Sequence, residues 1–293
     1  MNTYSEKITQ KQSEEIKSML TESGAVFDSV QYSVWRAKTS TFQAVYYTSG
    51  KLLVQGKEVS DTVEKINKIL GKNSISEKKE EILMSAEKYI GTDESGKGDF
   101  FGPLVVAGVQ VNPDNKQKFI DLGVKDSKKL DDKKILQLAN IIKANAVHSV
   151  VVMTPVKYNE LYNKFKNLNK LLAWGHARAI ENILEKSPCE YALADKFGDE
   201  SLIQNALMQK GKSITLKQMV RAEADIAVAC ASVIARAEFV KRMTDMESKY
   251  ELAMSKGASD KVVQQAKEFV KKYSFERLNE VAKIHFKTVN ELR

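Results

Sequence analysis

Residues 89–241 alternate between short apolar runs and longer segments with helical spacing, and this alternation restricts the fold more than any other feature. The predicted strands cover residues 89–92, 104–111, 148–153 and 191–194. The predicted helices cover residues 133–143, 168–184 and 221–241, and an amphipathic stretch at 260–293 predicts another. Strands that lead into helices, which return to strands, indicate an α/β or α+β fold in which helices cover a sheet.

A polar, charged segment at residues 71–81 separates this region from a smaller N-terminal one. Residues 8–20 and 63–70 have helical spacing, and residues 30–55 predict a strand, a turn and a second strand. The N-terminal region is therefore expected to be a small α+β unit. We place the boundary within residues 75–85, which predicts domains at 1–80 and 81–293.

The charge of the chain is positive and unevenly distributed. The net charge is +8, yet residues 1–90 hold 13 basic and 12 acidic side chains, so nearly all of the excess lies in residues 91–293. Such a balance permits binding to a polyanion without requiring it. The larger region is therefore the one expected to meet a negatively charged partner.

Cysteine and histidine are too scarce for several kinds of site. The two cysteines, Cys189 and Cys230, could form a disulfide, but a reduced, buried pair is expected in a chain of this size. They form no CxxC pair, so a structural zinc site is not expected. With three histidines in the chain, a histidine-rich metal site is not expected either. The polar N-terminus and the absence of a long apolar stretch predict a cytoplasmic protein without a membrane segment.

The stretch G-T-D-E-S-G-K-G-D-F-F-G-P at residues 91–103 places two adjacent acids, Asp93 and Glu94, at the end of a predicted strand. Neighbouring strand residues point to opposite faces, so both acids reach one site only if the strand ends or bends there. The glycines that follow permit such a bend. Taken alone, the pair is more typical of a charged turn than of a metal site.

Two further acids lie at comparable positions. Asp195 ends a short apolar strand, where ligands commonly bind in α/β sheets, although it could equally begin a turn. In the predicted helix at 221–241, Glu223 lies nearer the apolar face than Asp225, so Glu223 is the candidate to point into a site. Asp225 is then expected to face solvent, and a plain acid in the first turn of a helix remains the alternative.

Carboxylates brought together from separate elements can hold two divalent cations, which is the arrangement that phosphodiester hydrolysis commonly uses. Lys97, between two glycines, could meet a phosphate beside exposed backbone N–H groups. Ser127 and Lys128, in K-D-S-K-K-L, could add contacts. A lysine-rich run is also typical of a solvated surface, so these three residues stay candidates.

Together these motifs make the chain resemble ribonuclease HIII, the bacterial branch of the type 2 ribonucleases H. The matching segments lie at 91–107, 126–130 (D-S-K-K-L), 158–182 (with L-L-A-W-G-H-A-R-A-I-E-N), Asp195, 221–236 (R-A-E…A-S-V-I-A-R) and 283–288 (K-I-H-F-K-T). The resemblance covers about residues 88–293. The N-terminal region, especially T-S-G-K-L-L-V-Q-G-K at 48–57, is similar to the substrate-gripping domain of this branch, which has a fold like the TATA-box-binding protein.

The resemblance implies an RNase H-like mixed sheet flanked by helices, and cleavage of RNA in RNA/DNA hybrids with Mg²⁺ or Mn²⁺, giving 5′-phosphate and 3′-hydroxyl ends. It places the catalytic and metal-binding acids on Asp93, Glu94, Asp195 and Glu223. The element that contacts 2′-hydroxyls falls on Gly96, Lys97 and Gly98. No obligate protein partner is evident.

Other hypotheses remain at this point. The chain could bind hybrids or duplexes with an inactive site, or it could cut at single ribonucleotides in DNA, as ribonuclease HII does. Glu223 stands where ribonuclease HII usually has Asp, which favours the HIII branch. Lys196 stands where a Gln is expected, Asp99 is expected at the surface, and the roles of Asp199 and Asp225 stay open.

Overall fold

The computed structural model describes residues 2–56, 59–71, 86–124, 130–220 and 222–292, without the side chains of Asn2, Ser60, Glu200 and Glu223. The chain divides into two compact units, Met1–Ser85 and Ala86–Arg293. The predicted boundary between residues 80 and 81 falls outside the described residues, so it stays a prediction.

The N-terminal unit is an antiparallel sheet with helices. Its elements are β1 (Asn2–Lys7), α1 (Gln10–Glu22), β2 (Val26–Asp28), β3 (Ser33–Lys38), β4 (Phe42–Tyr47), β5 (Lys51–Gly56) and α2 (Ser60–Ile69). The strand order is β1-β5-β4-β3-β2, and each neighbouring pair is antiparallel. The α+β character is confirmed, but the sequence patterns identified only β4 and β5 as strands.

Alternation explains why these strands form a half-buried sheet. The side chains that pack into the core of this unit are Trp35 and Ala37 of β3, Ala44 and Tyr46 of β4, and Leu52 and Val54 of β5. Every second side chain therefore packs into this core, which is the period of a strand with one face against a core. α1 begins where the Thr9 side chain accepts from the Gln12 N–H and the Gln12 side chain accepts from the Thr9 N–H in return.

The C-terminal unit contains a mixed sheet. Its strands are β6 (Tyr89–Ser95), β7 (Leu104–Val111), β8 (His148–Met153), β9 (Tyr191–Asp195) and β10 (Thr215–Met219). They lie in the order β10-β9-β6-β7-β8, in which β10, β9 and β6 are parallel while β7 is antiparallel to both β6 and β8. A helix-covered sheet preceded by a small α+β unit confirms the predicted fold class.

The helices of this unit are α3 (Pro113–Asp121), α4 (Asp132–Asn145), α5 (Pro155–Phe165), α6 (Leu168–Leu184), α7 (Glu200–Ala206), α8 (Ile226–Tyr250) and α9 (Asp260–Tyr273). The predicted helix at 221–241 is wrong at its start, because Asp225 caps α8 and Ala222–Ala224 form a 3₁₀ turn. The predicted helix at 260–293 is wrong beyond Tyr273, because 3₁₀ turns follow at Glu276–Glu280 and Lys287–Leu292.

Glycines let α6 and α8 approach opposite faces of the sheet closely. A Cβ on Gly91 of β6 would lie 2.2 Å from the carbonyl carbon of Ala227 in α8. A Cβ on Gly108 of β7 would lie 2.8 Å from Cδ1 of Ile183 in α6. Because glycine has no Cβ, both helices can pack against the backbone of the sheet. Side chains of α6 and α8 therefore reach the end of β6.

Two further expectations concern the whole chain. Cys189 and Cys230 are both free thiols, and burial raises the pKa of the Cys230 thiol. In the described ranges, none of the helices combines the length and the apolar character that crossing a bilayer requires.

Candidate active site

Asp93 and Glu94 lie near the C-terminal end of β6, and a different helix holds each of them. Asp93 accepts a hydrogen bond from the Ser232 hydroxyl of α8. Glu94 accepts one from Nε2 of His176 in α6, at 3.2 Å. Because adjacent strand residues point to opposite faces, the helix on each face engages one acid.

The charge of Asp93 is poorly compensated by the protein alone. Burial raises the pKa of its carboxyl well above the ordinary value, and the negative charges of Glu94 and Asp195 raise it further. The Glu94 N–H donates to Asp93 Oδ1 at 2.8 Å, but this bond and the one from Ser232 do not offset the increase. The site therefore favours a positive charge beside Asp93.

The pKa of Glu94 is shifted in the opposite direction, below its usual value. Burial alone would raise the pKa of its carboxyl, but His176 and Lys97 outweigh that effect and hold the pKa below its usual value. Lys97 Nζ lies 3.5 Å from Glu94 Oε1, and His176 contacts the other oxygen. The surroundings of the two neighbouring acids thus have opposite effects. They stabilise the ionised form of Glu94 and destabilise the ionised form of Asp93.

Asp195 reaches the same edge of the sheet from the neighbouring strand. It is the last residue of β9, which runs parallel to β6 with Ala194 opposite Thr92. The carboxyl ends of parallel strands lie at one edge, where α/β sheets usually bind ligands. Asp195 Oδ1 accepts from the Ala222 N–H at 3.2 Å, which ties β9 to the turn before α8.

Glu223 lies in that turn, Ala222–Ala224, and not on the helix as predicted. Its side chain is outside the description, so its role stays a prediction. The prediction that Asp225 faces solvent is wrong. Asp225 Oδ1 accepts from the N–H groups of Ala227 and Val228, and Asp225 Oδ2 accepts from the Tyr89 hydroxyl at 2.6 Å. Asp225 therefore begins α8 and joins it to β6.

The loop after β6 packs tightly against α8. Gly96 has a φ of +89°, and a Cβ there would lie 2.2 Å from the Pro103 carbonyl oxygen, so no other residue fits without strain. Lys97 is partly exposed and Gly98 is exposed, so both are open to a ligand. Ser127 and Lys128, the other predicted substrate contacts, lie outside the described residues.

The expectation that Asp99 is a surface residue is wrong as well. Asp99 is half-buried, and its Oδ1 accepts from the Gly257 N–H. Its carbonyl oxygen accepts from Nζ of the fully buried Lys283, which also donates to the Gly102 carbonyl, both at 2.8 Å. Lys283, in the C-terminal segment, therefore holds the loop at residues 96–102 through the carbonyl groups of that loop.

Sequence comparisons place the chain among known proteins. The sequence profile of the Ribonuclease HII family matches residues 90–289, and a profile described as "Domain of unknown function (DUF3378)" matches residues 5–80. Ribonuclease HIII of Protochlamydia amoebophila is 42% identical over 263 residues, which cover 89% of this chain and 87% of that protein. Ribonuclease HIII of Chlamydia felis is 39% identical over 280 residues, covering 94% and 93%.

The chain belongs to the ribonuclease HIII family. It is accordingly a ribonuclease H, a hydrolytic nuclease, and its family supports endoribonuclease activity on RNA/DNA hybrids. The resemblance derived from the motifs is thereby confirmed.

Solved structures agree with this assignment. Bst-RNase HIII in complex with Mn²⁺ aligns with a TM-score of 0.67 at 25% identity, covering 99% of this chain and 98% of that one. Aquifex aeolicus RNase H3 aligns with a TM-score of 0.58 at 28% identity, covering 97% and 100%. Both alignments span nearly the whole chain and confirm the expected fold of this ribonuclease HIII family member.

The side chains of the site can be compared with the ligands that a divalent cation prefers. No group of three or more His, Cys, Asp or Glu side chains within the described ranges is arranged to hold a metal ion. Nevertheless, Asp93, Glu94 and Asp195 supply the carboxylate oxygens that Mg²⁺ and Mn²⁺ prefer. A bound cation would offset the repulsion that the charges of Glu94 and Asp195 exert on the Asp93 carboxylate. The chemistry of the described carboxylates therefore suits a divalent ion.

Sequence reasoning missed three residues that support this site: Ser232, His176 and Lys283. The motif comparison included all three within matching segments but assigned them no role. A signal did exist for His176, because a histidine amid the apolar residues of 171–184 must find partners inside the protein. Its partners, Thr92 and Glu94, are 84 and 82 residues away, so their identity could not be inferred.

Proposed function

We propose that this chain hydrolyses the RNA strand of RNA/DNA hybrids at internal phosphodiesters and leaves 5′-phosphate and 3′-hydroxyl ends. The observation that carries the proposal is the pair of acids at the ends of parallel strands β6 and β9. Burial and neighbouring negative charges disfavour the carboxylate of Asp93, so the site is electrostatically suited to a cation. Membership in the ribonuclease HIII family supplies the substrate class.

Asp93, Glu94, Asp195 and Glu223 would hold Mg²⁺ or Mn²⁺, two ions per site with substrate. When bound, such a pair of ions would supply the positive charge that activates a water and stabilises a leaving 3′-oxygen. The chain itself holds oxygen ligands in place, since Ser232 donates to Asp93 and His176 donates to Glu94. The Mn²⁺ complex of Bst-RNase HIII supports a divalent ion in this family.

Gly96, Lys97 and Gly98 are the proposed contacts to the RNA backbone. Gly98 is exposed with open space beside its Cα, and Lys97 is partly exposed, so a sugar can approach the backbone there closely, while buried Gly96 shapes the loop through its positive φ. A contact to the 2′-hydroxyl is the physical means of distinguishing RNA from DNA. Ser127 and Lys128 belong to the same proposal as phosphate contacts.

Residues 1–80 are proposed to form the substrate-binding domain, and residues 81–293 the catalytic one. Photo-crosslinking of the full chain to a hybrid, followed by mass spectrometry, tests this division. Crosslinks within residues 1–80 support it. Crosslinks confined to residues 81–293 on a hybrid of 30 or so base pairs would count against it.

The decisive experiment compares two substrates, a hybrid with a continuous RNA strand and a DNA duplex with one embedded ribonucleotide. Each is incubated in Mg²⁺, in Mn²⁺ and in EDTA, with Asp93→Asn as the inactive control. The proposal expects metal-dependent cleavage of the hybrid, 5′-phosphate ends that a phosphate-dependent exonuclease can digest, and weaker binding at higher salt.

The same experiment separates the alternatives. Efficient incision on the 5′ side of the single ribonucleotide would indicate ribonuclease HII-like activity instead. Binding without cleavage in either metal would indicate a hybrid-binding protein with an inactive site. Full cleavage by Asp93→Asn would remove this acid from the mechanism.

A further inference from the structure

His176 is a buried polar group that the mechanism above does not require as a ligand. It lies in the middle of α6 with no exposed surface, surrounded by buried residues of the same helix. A buried imidazole needs hydrogen-bond partners, because an unpaired polar group in the interior is costly. Both of its ring nitrogens are engaged, and both partners lie on β6.

The two partners define the orientation of the ring. Nδ1 lies 2.9 Å from Thr92 Oγ1, and Nε2 lies 3.2 Å from Glu94 Oε2. Thr92 and Glu94 are two positions apart on a strand, so they face the same side. A carboxylate only accepts hydrogen bonds, so Nε2 carries the proton and donates to Glu94. Thr92 holds the other nitrogen and prevents the ring from turning.

His176 also contacts the segment that follows Asp195. Its ring stacks on Phe197, with the ring centroids 4.9 Å apart and an interplanar angle of 25°. Phe197 in turn lies beneath Lys97, whose Nζ is 5.8 Å from the ring centroid. The imidazole therefore contacts both acid-bearing segments: β6 through Glu94, and the residues just after β9 through Phe197.

We infer that His176 is a positioning residue that fixes the Glu94 carboxylate and aligns it with the segment carrying Asp195. It acts through Glu94 and does not touch substrate. The inference rests on the proposed function, because it assigns Glu94 to the reacting site. It goes further by placing the determinant of that carboxylate's orientation on α6, outside the four acids.

Two substitutions of His176 separate positioning from simple packing. In His176→Gln the amide nitrogen can take the place of Nε2 and donate to Glu94. In His176→Asn the shorter amide reaches only the place of Nδ1, beside Thr92. We expect His176→Asn to lower kcat on the hybrid and to weaken Mn²⁺ binding by about 10–100-fold, the usual effect of losing a residue that orients a metal ligand. We expect His176→Gln to restore most of both, with KM for the hybrid unchanged.

Calorimetric titration of each variant with Mn²⁺ alone provides a readout that is independent of catalysis. Ile183→Val is the matched control, since Ile183 is buried on the same helix, packs against the sheet at Gly108, and has a hydrocarbon side chain that cannot donate a hydrogen bond to an acid. It should lose packing and thermal stability but keep kcat and Mn²⁺ affinity. Thr92→Val, which keeps the shape but frees the ring, should fall between the wild type and His176→Asn.

The inference is overturned if His176→Gln and His176→Asn are equally impaired, or if Mn²⁺ binds all variants alike. It is also overturned if Ile183→Val reduces kcat as much as His176→Asn does. If His176→Asn does not fold, the comparison of Thr92→Val with the wild type decides the question on the same two readouts. Failure of the proposed function would instead be seen as uncut hybrid with the wild-type chain.

Discussion

The candidate site has two halves that are anchored differently. The β6 half comprises β6 and the loop at 96–102, and side chains from distant elements hold it: Ser232 of α8, His176 of α6 and Lys283 near the C-terminus. The β9 half comprises the ends of β9 and β10 with the turn at 222–225. Local hydrogen bonds from main-chain N–H groups hold it: Lys196 N–H donates to Met219 O, and Ala222 N–H donates to Asp195 Oδ1.

The different anchoring of the two halves goes together with a difference in where unfavourable negative charge lies. The β6 half buries two adjacent acids, and the protein compensates Glu94 with His176 and Lys97 but leaves the pKa of Asp93 raised. Stability is lost there in exchange for a place that a cation can occupy, a trade that active sites commonly make. Substitutions in the two halves should therefore affect stability differently even where they abolish the same activity.

The largest expected effect comes from replacing the acids themselves. Asp93→Asn and Asp195→Asn should each lower hybrid cleavage by about 10³-fold, because each removes a ligand whose cation stabilises the transition state by several kcal/mol. In EDTA, Asp93→Asn should raise Tm by about 2–4 °C, the shift that about 1 kcal/mol gives in a protein of this size. Asp195→Asn should raise it less, since its charge is a minor cause of the Asp93 shift.

Cleavage assays and thermal unfolding without metal check this pair of variants. Asp121→Asn, an exposed acid on α3, is the control and should change neither quantity. Equal Tm changes for the Asp93 and Asp195 variants would mean that the two halves bear the unfavourable charge equally.

The next effect in size tests the anchor of the β6 half. Lys283→Met should cost about 3 kcal/mol, because removing the donor leaves buried carbonyl oxygens unpaired at about 1–3 kcal/mol each. The Asp99 and Gly102 carbonyls are the ones left without this donor. The loop should loosen, so KM for the hybrid should rise more than kcat falls. Lys287→Met, at an exposed position in the same segment, should alter neither.

Lys283 also predicts a dependence of stability on pH. Burial lowers the pKa of its ammonium group from 10.5 to about 7 in the folded chain. Between these values the unfolded chain binds more protons than the folded one, so the free energy of unfolding should rise as pH rises through this window. Denaturant titrations of the wild type and Lys283→Met at several pH values test it. A rise of the same size in both would remove Lys283 as its cause.

Much of the β6 half could be predicted from sequence, because its signals are local. Adjacent acids at the end of an apolar strand, followed by glycines, indicated both the strand end and the open loop. The supporting residues could not be found in this way. His176 acquires its role only when α6 packs on β6, and Lys283 only when the C-terminal segment packs on the loop after β6. The residues that meet are far apart in sequence, so no periodic pattern can reveal these contacts.

The β9 half was predicted less well for a different reason. The apolar spacing after residue 221 predicts a helix that starts there and that carries Glu223 nearer than Asp225 to its apolar face. A competing local signal was present, since Asp before an apolar run is a preferred N-cap. Asp225 takes that role and sets the start of α8 at Ile226, so Glu223 belongs to the turn before it. Strand β10 has the sequence T-L-K-Q-M, in which apolar and polar residues do not alternate. No strand pattern therefore predicts it.

The smallest expected effect tests whether that cap is what holds the β9 half. Asp225→Ala should cost about 1 kcal/mol, the usual loss for an N-cap. Tyr89→Phe removes the hydroxyl that donates to Asp225 Oδ2 and keeps the aromatic ring in the core. Chemical denaturation of the two single variants and the double variant gives the coupling between cap and hydroxyl. Hybrid cleavage should fall only a few-fold in Asp225→Ala, because the cap positions the turn but supplies no ligand. A loss as large as that of Asp195→Asn would instead place Asp225 among the reacting carboxylates, and the two halves would then differ in ligand number as well as in anchoring.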